Sequence, residues 1–136
     1  MDDTILKLIR KFKTNDPFEI ATRLNINIWY EDLGIGTRGL YYRKLRRRFI
    51  VIHNGLEDDW QRFICAHELG HDRLHPGISR FWLDEQSLYN AGKYERQANK
   101  FAVKLLTAGD TLKTDETIRD LLSRNQIPVE MDQYFD

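Results

Sequence analysis

All four histidines of the chain, His53, His67, His71 and His75, lie between positions 53 and 75. Two of them frame the pattern H-E-x-x-H in Ala66-His67-Glu68-Leu69-Gly70-His71. Residues four apart on a helix differ by about 40° in direction and about 6 Å in rise, so His67 and His71 can offer imidazole nitrogens to one metal ion. Glu68 follows His67 by about 100°, which puts its carboxylate beside the ion rather than on it, placed to take a proton from attacking water. This is half of a catalytic zinc site, which needs a third protein ligand and one open position.

His75 is a poor third ligand. It lies eight residues from His67, roughly 12 Å along a helix, and three successive turns cannot converge on one tetrahedral ion. Its expected place is the helix end, where an imidazole suits the C-terminal dipole. Gly77 stands six residues after His71, where a metzincin carries its third histidine. His53, at a strand end, is expected to be solvated or hydrogen-bonded. Glu95, in Tyr94-Glu95-Arg96-Gln97-Ala98-Asn99, is the better candidate. Asn99 shares its helical face at i+4 and can accept the distal N–H of a metal-bound histidine. On spacing alone, a solvated ion pair with the adjacent arginine explains Glu95 equally well. Cys65 points roughly 200° away from His67 and is read as a small packing residue.

These residues need elements to hold them. An amphipathic helix is predicted over residues 3–12, and a second over 16–24, with Asp16 as N-cap, Pro17 at the first helical position and Asn25 closing it. Residues 26–30 favour a strand. Gly39-Leu40-Tyr41-Tyr42 and Phe49-Ile50-Val51-Ile52-His53 read as a hairpin around the basic stretch Arg43-Lys44-Leu45-Arg46-Arg47-Arg48. A long helix over residues 56–74 carries the H-E-x-x-H pattern and stops at His75-Pro76-Gly77. Residues 78–91 show no period and read as an ordered loop. Helices follow over residues 94–106 and about 114–122, with one further turn beyond Pro128. The fold class expected is α+β: N-terminal helices, a short antiparallel sheet, the active-site helix and C-terminal helices. One domain is expected over residues 1–136, with a helical tail from about 110 onward.

Composition narrows the setting. With 136 residues, 21 Lys and Arg against 21 Asp and Glu, and one cysteine, the chain reads as a domain for a reducing, cytoplasmic compartment. Met1-Asp2-Asp3-Thr4 does not begin a signal peptide, and no segment approaches a membrane span. Zero net charge speaks against binding nucleic acid by phosphate neutralisation.

The motifs resemble the ImmA/IrrE family of small bacterial and phage metallopeptidases, within the gluzincin-like zincins. The resemblance rests on Ala66-His67-Glu68-Leu69-Gly70-His71 followed by Leu74-His75, and on Glu95-x-x-Ala98-Asn99-x-Phe101-Ala102. It extends from about Asp16 to Leu106. It implies a zincin-like domain in which His67, His71 and Glu95 hold Zn2+, Glu68 is the catalytic base and Asn99 supports a histidine ligand. It further implies a helix-turn-helix repressor as protein substrate, cleaved to relieve repression in a phage or mobile element. The alternative is a non-proteolytic antirepressor or toxin–antitoxin component with a structural zinc site. The oxyanion donor is unassigned among Tyr41, Tyr42, Tyr89 and Tyr94. An extended substrate is expected at the hairpin edge, with Gly39 allowing close approach or serving a turn. The basic stretch is read as a solvated hairpin tip, its functional alternative being a contact surface for an acidic partner or a DNA-bound repressor. Trp29, Trp60, Phe63, Trp82 and Phe101 are expected in the core.

Overall fold

The computed structural model describes residues 1–84 and 90–136. Helix α1 (Asp2–Phe12) buries Ile5, Leu8 and Phe12 on one stripe. Helix α2 (Pro17–Arg23) begins as expected, with Asp16 accepting the Phe18 backbone N–H at 3.0 Å and Pro17 in the first turn. Asn25, just beyond it, adopts φ +63, the left-handed geometry that ends helices.

Strands β1 (Asn27–Glu31), β2 (Thr37–Lys44) and β3 (Arg47–His53) precede helix α3 (Asp58–Leu74), and β4 (Arg80–Asp84) follows it. The sheet order is β1-β3-β2-β4. The expected hairpin is present, with Lys44 opposite Arg47 around Leu45-Arg46. The sheet is mixed rather than wholly antiparallel, because two chain reversals separate β1 from β3 and leave them parallel. Strand β4 lies where a loop was expected. Only five residues long, it alternates Phe81 and Leu83 inward with Arg80 and Trp82 outward, too brief a run for its period to stand out. Both flanks of the hairpin are thus paired, and among the described residues the free edge beyond β2 belongs to β4.

Two rows of side chains face inward across the sheet: Ile28, Ile50, Tyr41 and Phe81, then Tyr30, Ile52, Gly39 and Leu83. Helix α3 lies on them. A Cβ at Gly39 would fall 2.5 Å from the Ile64 side chain and 3.0 Å from Glu68 Oε2, so this glycine admits the helix rather than a substrate or a turn. Every residue of α3 from Phe63 to Asp72 is buried, between the sheet and helix α4 (Lys93–Leu106). The two helices approach closely at Gly70, where a Cβ would meet the Phe101 ring at 3.0 Å.

Helix α5 (Ile118–Arg124) starts later than the apolar period suggested, because Thr117 and Asp120 form a reciprocal capping box. A 3₁₀ turn (Val129–Tyr134) then buries Met131 and Tyr134. Phe63, Phe101 and Cys65 are fully buried as expected, and Trp60 packs against the core. Trp29 and Trp82 are not core residues: they are 47% and 54% exposed, because strand alternation turns them to the face opposite α3. Among the described residues, no helix is long and apolar enough to cross a membrane.

Candidate metal centre

Helix α3 presents His67 and His71 one turn apart, both fully buried, and α4 brings Glu95 across to them. His67 Nε2 lies 3.2 Å from His71 Nε2 and 2.8 Å from Glu95 Oε2, while His71 Nε2 lies 3.0 Å from Glu95 Oε1 and 3.3 Å from Oε2. A tetrahedral ion with ligands at about 2.0–2.1 Å has donor–donor edges of about 3.3 Å. The cluster is close to that size.

The far side of each ring fixes which nitrogen faces the centre. His67 Nδ1 donates to Asn99 Oδ1 at 2.7 Å, which turns Nε2 and its lone pair toward the centre. His71 is held through a longer chain. Gln97 Oε1 can only accept, so the 2.6 Å contact is a donation from His75 Nε2–H. His75 Nδ1 is then the acceptor in its 3.0 Å contact with His71 Nδ1, and His71 Nε2 is bare as well. Two lone pairs and a carboxylate thus converge, and a positive species, proton or metal ion, must sit among them. The donor set, two imidazoles and one carboxylate with an open side, fits a catalytic metal site.

Electrostatics prepare these groups for a cation. Burial lowers the His71 pKa to about 4, although its hydrogen bond to Glu95 works the other way, so the ring is neutral at pH 7. Burial alone would raise the Glu95 carboxyl, but a proton held between it and the His67 or His71 Nε2, where the ion would otherwise sit, brings it down to about 2. Phe81 of β4 stacks on the His71 ring, centroids 3.6 Å apart and planes within 10°.

Glu68 is the unusual member. Among the described residues neither of its buried carboxylate oxygens has a hydrogen-bond partner, and Oε1 is 4.0 Å from His67 Nε2. Burial, and after it the charge on Glu95, push its pKa well above the ordinary carboxylate range. A buried acid beside a cation-seeking cluster needs a partner that the described residues do not supply.

Residues 21–134 match the IrrE N-terminal-like domain of peptidase M78. The chain belongs to the ImmA/IrrE family of metallopeptidases. Within the family it is 36% identical over 131 residues to uncharacterized immunity region protein 2 of Bacillus phage phi105, covering 93% of this chain and 83% of that protein. It is 32% identical over 103 residues to metallopeptidase ImmA of Bacillus subtilis strain 168, covering 75% of this chain and 60% of that protein.

In this ImmA/IrrE chain the structure brings together His67, His71, Glu95, Glu68 and Asn99, all of which sequence spacing had singled out. His53 lies apart, its Nδ1 accepting the Leu33 backbone N–H at 3.0 Å. His75 does end α3, its backbone N–H bonded to His71 O, but its ring also holds His71, a role the helical dipole did not suggest. Gln97 and Phe81 were missed. The available signal for Gln97 was that it sits two residues from Glu95 and two from Asn99. Of the tyrosines, Tyr41 spends its hydroxyl on Asp72 at 2.7 Å, and Tyr42 is on the opposite sheet face. Tyr94 packs on His75 with ring centroids 4.6 Å apart, and Tyr89 lies outside the described residues.

Proposed function

We propose that this metallopeptidase is a zinc endopeptidase that cleaves a helix-turn-helix transcriptional repressor in the cytoplasm of a bacterial host, relieving repression in a phage or mobile element. His67 Nε2, His71 Nε2 and Glu95 would hold the ion, whose chemistry when bound is to polarise the scissile carbonyl and acidify water. Glu68 accepts a proton from the attacking water as its oxygen bonds to the carbonyl carbon. It then passes that proton to the amine nitrogen as the C–N bond breaks. Asn99 and the His75–Gln97 pair keep the two imidazoles aimed, so no tautomer change is needed on metal binding. The free edge of β4, next to the Phe81 that stacks on His71, suits an extended substrate strand pairing through its main chain.

The observation that carries this reading is Glu68: a purely structural site gains nothing from a buried, partnerless carboxylate beside its ligands. This weighs against a non-proteolytic antirepressor or a toxin–antitoxin component with structural zinc. The repressor as substrate is supported by the similarity to a phage immunity-region protein. The test is to incubate the zinc-loaded protein with the repressor encoded beside its gene and analyse the products by mass spectrometry. A single internal cut, absent with Glu68→Gln, is expected; an intact repressor would overturn the substrate assignment.

A further inference from the structure

The sheet face opposite α3 carries its own apolar layer. One row crosses all four strands as Trp29, Val51, Leu40 and Trp82, and the next as Asn27, Phe49, Tyr42 and Arg80. Leu40, Phe49 and Val51 are buried yet lie outside the main core cluster. Their cover is aromatic: Trp29 tilts onto Phe49 at 4.8 Å and Tyr42 stacks on it at 4.6 Å. The layer runs into the hairpin tip, where Tyr42, Lys44, Leu45, Arg46, Arg47 and Phe49 line a groove of about 840 Å³.

Charge at this end has one sign. Two of the five basic residues of the tip turn inward, Arg43 to Pro76 O and Arg48 to Asp72. Lys44, Arg46 and Arg47 remain exposed and Arg80 joins them from β4. None of the four forms an ion pair among the described residues. Leu45 is the second anomaly. It is 91% exposed and holds φ +58 in a two-residue hairpin turn, a position that Gly or Asn adopts without strain. A bulky aliphatic side chain held outward against local backbone preference, among unpaired cations, marks a contact point.

We propose that the hairpin tip and this outer face dock a protein segment bearing an apolar stripe flanked by carboxylates. The apolar floor takes the stripe, and Lys44, Arg46, Arg47 and Arg80 take the acids. A second copy of the chain would bring the same cations to the contact. A nucleic acid stacking on the half-exposed Trp29 and Trp82 would leave the outward Leu45 and the apolar groove beside it unfilled. The surface lies across the sheet from the metal cluster, so it is a docking site distinct from the cleft.

The probe is a fluorescent helical peptide of about 16 residues with leucines at i, i+3, i+4 and i+7 edged by glutamates, beside a twin with lysines for the glutamates. Binding to the full chain is followed by fluorescence anisotropy. The glutamate peptide is expected to bind in preference to its twin, and to weaken as salt rises from about 0.05 to 0.3 M. Lys44→Glu with Arg47→Glu should weaken it at least about tenfold. Leu45→Gly, which relaxes the turn, should do the same without lowering the melting temperature. The proposal is overturned if the two peptides bind alike or if the variants bind like wild type. It is equally overturned if single-stranded DNA of about 20 nucleotides outcompetes the glutamate peptide, or if the face proves to be a self-association surface by sedimentation.

Discussion

His71 Nδ1 lies 3.0 Å from His75 Nδ1, and that contact decides which nitrogen of His71 faces the candidate metal centre. His75 is itself set by its 2.6 Å donation to Gln97. Removing either support should weaken metal binding by about 10–100-fold, the usual range for such outer contacts. Chelator competition on His75→Ala and Gln97→Ala measures it, with 15N shifts of His71 reporting the tautomer. Unchanged affinity in both variants would rule the relay out.

Acid should release the metal and destabilise the metal-free fold together. His71 binds its proton at about 4 in the fold and near 6.5 when unfolded. The unfolded chain therefore holds more protons across that window, and stability falls as pH drops through it, by about 3 kcal/mol in all. Glu95, held at about 2, adds a loss between its ordinary value near 4.5 and about 2. Thermal melts of Glu68→Gln in chelator from pH 7 to pH 4, free of the opposing titration of Glu68, should show a falling midpoint, and a flat profile would contradict the buried neutral imidazole.

Glu68 acts in the opposite direction. Its folded pKa is raised, so the fold binds more protons than the unfolded chain above about pH 4.5, and metal-free stability declines as pH rises through the raised value. Glu68→Gln removes the ionisation and should stabilise the metal-free protein at pH 8 by about 1–2 kcal/mol. Chemical denaturation in chelator reads this directly. A destabilised variant would show that Glu68 is held by contacts other than those seen.

Glycine spacing sets the depth of the site. Gly70→Ala places a methyl 3.0 Å from the buried Phe101 ring, so Phe101 and the stretch of α4 that carries it must give by a few tenths of an ångström, on the same helix that presents Glu95. Metal affinity should fall at least about tenfold, while the roughly 1 kcal/mol that alanine gains over glycine in a helix acts on fold stability instead. Metal titration alongside thermal melts separates the two effects, and wild-type affinity would show that the helices have slack.

Much of this site was legible because helical spacing is a rigid ruler: His67, His71 and Glu68 share one helix, and Asn99 shares Glu95's face. Glu95 was only half legible, since its meeting with the histidines depends on the close approach of α4 to α3 at Gly70, which no local period shows. Strand β4 escaped notice because five alternating residues are too few to outweigh flanking Gly and Ser. The contact of His75 with His71, one turn away, was within local reach, but Gln97, which sets its tautomer, lies on another helix, which no local reading reaches. The outer-face tryptophans were misplaced because large aromatics are usually core, and only the register shows which face a strand residue occupies.

The account rests most heavily on Glu68 as the proton carrier beside an intact metal cluster, so the decisive measurement is the peptide-cleavage rate of fully zinc-loaded Glu68→Gln against wild type. A fall of at least about 10²–10⁴-fold at equal zinc content is predicted. Cleavage at the wild-type rate would contradict it.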